Sequence, residues 1–178
     1  MPNTALLIAT AARVLTVLLL CVGVAHAQSS PQPALPQPQG AVLLTVTGKI
    51  GATNADGKAA FDLAMLESVG SATVVTSTAW TEGKGHFQGV LLSKLMERVG
   101  ATGDTAVTIA INDYKVEIPV ADFSRYPVIL AYRMNGELLK IRDKGPLWII
   151  YPQDDNPELK TKETQAKWVW QVKEIRFK

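Results

Sequence analysis

Apolar positions along the chain follow two periods, one near two residues and one near three and a half. Val42, Leu44 and Val46 alternate with Leu43, Thr45 and Thr47, which predicts a strand with one buried face. Residues 54–57 read as a turn, and Asp62 reads as a helix N-cap. Phe61 and Leu66 are placed to form a hydrophobic staple across that cap, and Gly70 closes a short helix. Residues 72–75 resume a strand. Over 90–99, Leu91, Leu92, Leu95, Met96 and Val99 share one helical face while Lys94, Glu97 and Arg98 take the other, and Gly100 supplies the stop. Two β-rich runs, 107–111 and 114–118, flank Asn112-Asp113 and predict a hairpin. A second hairpin spans 128–133 and 137–141 around Met134-Asn135-Gly136, because Asn-Gly tolerates the positive φ that a type I′ turn demands. The continuous apolar run 147–151 reads as a central strand. Near the C-terminus Trp168, Trp170 and Val172 hold one phase while Ile175 and Phe177 hold the other, so a bulge near Lys173-Glu174 is required. About seven strands with two or three short helices make an α+β domain.

The N-terminal region changes the picture. Residues 14–25 are apolar but too short for a stable transmembrane helix, and Ala25-His26-Ala27 fits the small-x-small cleavage rule. Residues 1–27 are expected to be a signal peptide, giving a periplasmic or secreted protein that begins at Gln28 and has no membrane span after cleavage. Bulky Leu20 disfavours lipidation at Cys21, and the leader lacks a twin-arginine pair, which points to threading as an unfolded chain. Residues 28–40, QSSPQPALPQPQG, form a Pro/Gln-rich linker expected to be an extended, solvated spacer. Residues 41–178 are left as one ordinary domain.

Charge and composition then exclude whole classes of chemistry. Eighteen Lys and Arg against 16 Asp and Glu give a net charge of +2, without the basic footprint of a nucleic-acid binder. Cys21, the only cysteine, lies in the leader with His26. The mature chain therefore has no disulfide, no cysteine-based zinc site and no cysteine nucleophile, and His86 is its one imidazole.

Chemistry concentrates after the strand at 72–75. Thr76-Ser77-Thr78-Ala79-Trp80 is expected to enter a polar loop, 81–89, with three glycines, Lys84 and His86, which then opens the amphipathic helix. A strand, a flexible loop and a helix N-terminus form a common anion-binding arrangement, although the spacing matches neither a phosphate loop nor a dinucleotide fingerprint. Asp154, Asp155 and Glu158, in the loop YPQDDNPELK, are oxygen donors suited to a hard cation. Ser77, His86 and Asp113 supply the residue types of a hydrolytic triad but no nucleophile elbow surrounds Ser77.

Three stretches occur in an order that resembles the oxidoreductase molybdopterin-binding domain, the sulfite-oxidase-like fold. VVTSTAWTEGKGHFQGVLLSKLMERVGA is similar to the segment in which that family carries a cysteine four residues before a tryptophan. LAYRMNGELLKIRDKGPLWIIYP resembles its Asn-Gly hairpin and Gly-x-Pro-Leu-Arg strand, and AKWVWQVKEIRF resembles its closing strand. The resemblance implies a mixed, partly barrel-like sheet with a pterin pocket at its mouth, where the cysteine thiolate ligates molybdenum. Here Thr76 stands four residues before Trp80, and Trp148 stands where the family has its arginine. A hydroxyl is a hard and weakly acidic substitute for a soft thiolate. The expectation is an exported, non-catalytic module with no cofactor, which holds a small anionic or aromatic ligand or an envelope partner protein. Its pocket candidates are Thr76, Ser77, Thr78, Trp80, Lys84, His86, Arg133 and Lys144. The alternative is a periplasmic molybdopterin-dependent oxidoreductase with a non-cysteine metal site.

Overall fold

The computed structural model describes residues 34–178. The expected signal peptide, its cleavage site, Cys21, His26 and the first part of the linker lie outside the described residues. Among the described residues no helix is long and apolar enough to cross a membrane.

Two five-stranded sheets enclose the core. The first has the spatial order β2 (Ala59–Phe61), β1 (Leu44–Gly48), β10 (Val172–Phe177), β5 (Thr105–Ala110) and β6 (Lys115–Pro119). Only β1 and β10 run parallel; the other neighbours in this sheet are antiparallel. The second places β3 (Ala72–Ser77) beside β4 (Lys84–Leu91) and β7 (Ile129–Met134). Along its far side β7 pairs first with β9 (Trp148–Ile150) and then with β8 (Glu137–Leu138). A bridge between Trp148 and Trp170, with Ile149 donating to the Val169 carbonyl at 2.9 Å, joins the sheets at one corner. The architecture is α+β, as the pattern implied, with no closed barrel.

Four short helices cover the sheets: α1 (Leu63–Val69), α2 (Leu92–Val99), α3 (Ala121–Arg125) and α4 (Lys162–Gln165). Asp62 caps α1 by accepting from the Met65 N–H at 2.9 Å, while Phe61 and Leu66 are buried on either side of the cap. The second carboxylate oxygen of Asp62 accepts from Gln39 and Gly40. Together with buried Leu35 and the bond from Asn54 to the Pro36 carbonyl, this holds residues 34–40 against the domain. The described end of the linker is thus docked, which its proline content did not indicate.

The two hairpins and the bulge form where expected. Asn135 and Gly136 take φ of 52° and 85° at the β7–β8 turn, and the register of β10 against β5 shifts between Val172 and Glu174. That shift keeps Val172, Ile175 and Phe177 all buried.

The stretch 81–89 departs from expectation. Residues 84–91 are strand β4, and the connection from β3 is the short turn 78–83. Two of its three glycines serve close packing: a Cβ on Gly85 would lie 2.7 Å from the Phe87 ring, and one on Gly89 would meet the Leu130 carbonyl, while Gly83 takes the positive φ of the turn. The eight residues of β4 consequently separate helix α2 from the turn. Its Leu92 N–H is bonded to the Val128 carbonyl at 3.0 Å, so the helix N-terminus does not join the loop in an anion site.

Candidate functional site

The eight candidates separate into three places. Thr76 and Ser77, at the end of β3, meet the 152–160 loop. The Asp154 carboxylate accepts from the Ser77 N–H and from the Ser77 hydroxyl, each at 2.9 Å. Gln153 donates to the Ser77 carbonyl at 2.8 Å. Thr76 is fully buried, accepting from the Asp154 N–H at 3.3 Å and donating to the Ser77 carbonyl at 3.4 Å. Lys84, opposite Ser77 on β4, lies 3.5 Å from Asp154, and Lys160 lies 3.0 Å away on the other oxygen. The Ser77 N–H, then Lys160 and the Ser77 hydroxyl, hold the Asp154 carboxyl well below the usual carboxylate range. At pH 7 the cluster contains a fixed carboxylate between two outward-reaching ammonium groups.

Trp80 and Lys144 belong to an aromatic cluster beside it. Thr78 anchors the turn through Thr81 at 2.8 Å and accepts from the Trp80 N–H at 3.0 Å. The Trp80 ring then lies 6.2 Å from Trp148, 6.1 Å from Trp168 and 5.2 Å from Trp170, in edge-on or tilted geometries. These are all four tryptophans of the chain. Phe87 stands edge-on to Trp148 at 5.4 Å, and Tyr151 stacks on Trp168 at 6.3 Å. Burial and the adjacent Asp122 keep the Tyr151 hydroxyl protonated far above its ordinary range, and that hydroxyl donates to Asp122 at 2.9 Å. The Lys144 ammonium sits 5.6 Å and 5.7 Å from the Trp148 and Trp170 ring centres. On the solvent side, Trp80, Trp168, Trp170 and Tyr114 bound a cleft of about 290 Å³ with Asn112 and Gln165.

His86 and Arg133 point to neither place. His86 is exposed in mid-strand, and its backbone, not its ring, bonds the Asn135 side chain. Arg133 pairs with Glu67 of α1 at 3.4 Å.

The hard-cation grouping does not assemble either. Asp154 is held by lysines, Glu158 accepts from the Tyr126 hydroxyl at 3.1 Å, and no three His, Cys, Asp or Glu gather as a metal site among the described residues. Ser77 bonds Asp154, not His86, so no triad forms.

Pattern reading missed Gln153, Asp154 and Lys160 as neighbours of Thr76, since only the fold brings residues 76 and 154 together. It placed Trp148, Trp168 and Trp170 on buried strands without joining them to Trp80. The spacing of Trp168 and Trp170, with a charged residue before and a polar one after, was the available signal.

A larger hollow of about 570 Å³ lies over the outer face of β1 and β10. Three of its polar side chains satisfy one another, Thr47 donating to Glu174 at 2.8 Å and Glu174 pairing with Arg176 at 2.8 Å. The Trp80 region is therefore the better candidate for a site.

A search of curated proteins finds no match to the chain. The family model for the oxidoreductase molybdopterin binding domain matches residues 61–175, a span that runs from β2 into β10 and contains both the Thr76 cluster and the four tryptophans. On that match, and on the mixed α+β architecture that accompanies it, the chain belongs to the oxidoreductase molybdopterin-binding domain family.

Proposed function

We propose that this member of the family is an exported, non-catalytic binding module that carries neither molybdenum nor pterin and uses the Trp80 region to hold a ligand or a partner protein. The observation that carries the reading is the state of Thr76. It occupies the position where the family resemblance puts the metal-ligating cysteine, and its hydroxyl is buried and bonded on both sides by backbone. A hydroxyl in that setting is a poor donor to a soft metal centre.

Its surroundings argue in the same direction. The Asp154 carboxylate beside it accepts from Ser77 and is itself paired with Lys84 and Lys160, so the charges next to Thr76 are already engaged with one another. The position of the family's arginine holds the fully buried indole of Trp148, which brings bulk where the resemblance implies a cation. A buried hydroxyl and an indole at these two positions are a poor donor set for a soft metal and its anionic pterin. The leader, which lacks a twin-arginine pair, supports delivery of an unfolded and therefore empty chain.

Denaturing protein isolated from its native envelope and assaying the supernatant for pterin fluorescence tests the reading. No pterin is expected, on a chain whose mass begins at Gln28. A stoichiometric pterin would overturn it.

A further inference from the structure

We infer that the aromatic cleft takes a planar, uncharged ring ligand bearing a carbonyl or amide group. The inference rests on the binding-module reading and adds the ligand class. Trp80, Trp170 and Tyr114 are 36%, 37% and 54% exposed, a degree of solvent contact unusual for three large aromatic side chains bounding one cleft. Ile111 and Ile141 are exposed beside them, tied to either side of Gln171 through their backbones. Five of the eight large apolar side chains exposed among the described residues therefore surround this one corner. An apolar concentration of that kind around a concavity marks a binding surface.

The lining selects the chemistry. No charged side chain bounds the cleft. Lys144 covers Trp148 and Trp170 but lines the neighbouring hollow with Trp148 and Thr81. Lys84 is drawn to Asp154. An anion entering the cleft would lose its hydration without gaining a cation in the wall. A cationic ligand would meet the field of Lys144, which already occupies the neighbouring π faces.

The polar groups that remain are amides. Asn112 uses its carbonyl oxygen to accept from the Tyr114 N–H at 3.2 Å, which leaves its NH₂ free among the described residues. The Gln165 side chain has no partner there either, so it offers both a donor and an acceptor. Aromatic faces with unspent amide donors and acceptors match a flat ring edged with carbonyl or amide groups. At about 290 Å³ the cleft is at the small end of ligand sites, suited to one or two fused rings.

The chain is titrated calorimetrically with indole-3-carboxamide and, separately, with indole-3-carboxylate, which has the same rings and differs in charge. Saturable binding of the carboxamide is expected, with the carboxylate weaker by about tenfold or more. Tyr114→Ala and Asn112→Ala should each weaken the carboxamide severalfold with melting temperatures close to wild type, and Trp170→Ala should weaken it at least as much while also lowering the melting temperature, since its ring packs on Trp80. Equal or tighter binding of the carboxylate, no saturable binding of either compound, or binding unmoved in all three variants would each overturn the inference. Failure here with no pterin released on denaturation removes only the ligand class, whereas released pterin removes the binding-module reading itself.

Discussion

Asp154 is the residue whose removal tests the geometry around Thr76 most sharply. Its carboxylate is 8% exposed and accepts two hydrogen bonds from Ser77 at 2.9 Å. Hydrogen bonds to a charged acceptor contribute about 1.5–3 kcal/mol each, and the exposed lysine partners add about 0–1 kcal/mol apiece. Allowing for solvent that reaches the lysine side, Asp154→Ala should cost about 3 kcal/mol. For a domain of this length that corresponds to a fall in Tm of roughly 9 °C at pH 7. Asp154→Asn, which retains one acceptor oxygen, should cost about half as much. The pH dependence has a definite sign. A carboxylate whose folded pKa lies below its unfolded value stabilises fully above about pH 4, and that contribution fades as pH falls toward the folded value. The Tm gap between wild type and Asp154→Asn should therefore be largest near pH 7 and narrow in the acid range below about pH 4. Thermal melts followed by circular dichroism at both pH values measure it. A gap under about 2 °C at pH 7, or one that does not narrow in acid, would refute the account of Asp154 as a charged anchor.

Trp80→Ala should cost about 2–3 kcal/mol, below the usual range for a fully buried aromatic because more than a third of the residue is already exposed, and should shift the tryptophan emission; outright unfolding would instead assign Trp80 to the core. Gly89→Ala should destabilise by more than about 2 kcal/mol, since the added methyl meets the Leu130 backbone, and denaturant melts would show it as a lowered midpoint. Thr76→Cys, produced without residues 1–27 in a cytoplasm that makes molybdopterin, should remain free of molybdenum by elemental analysis, because position 76 is fully buried against the 152–160 loop and Trp148 still stands where the resemblance places an arginine.

Much of the fold was written in local patterns. The Asp62 cap, the Asn135-Gly136 turn and the Val172–Glu174 bulge each depend on a few adjacent residues whose backbone preferences are strong. The error at 81–89 has a physical origin. Glycine permits loops and also permits close backbone approach, and at Gly85 and Gly89 the second use prevails because β4 is wedged between β3 and β7. That strand carries the helix N-terminus away from Trp80, and with it the anion arrangement that a linear reading suggested. The site was legible only in halves. Thr76, Ser77, Trp80 and Lys144 were named from sequence, but the partners of Ser77 and Trp80, namely Asp154, Trp148, Trp168 and Trp170, come from chain segments about 70 to 90 residues away and meet them only in the folded domain. Local spacing carries no record of such pairing.

The central claim is that the family's metal centre is absent from this chain's chemistry, and the molybdenum content of native protein addresses it most directly. Protein purified from its native source, without added metal, is quantified by elemental mass spectrometry against chain concentration. The expected value is below roughly a tenth of an equivalent of molybdenum or tungsten, because no soft donor stands at Thr76. Close to one equivalent of either metal, retained through gel filtration, would contradict the account.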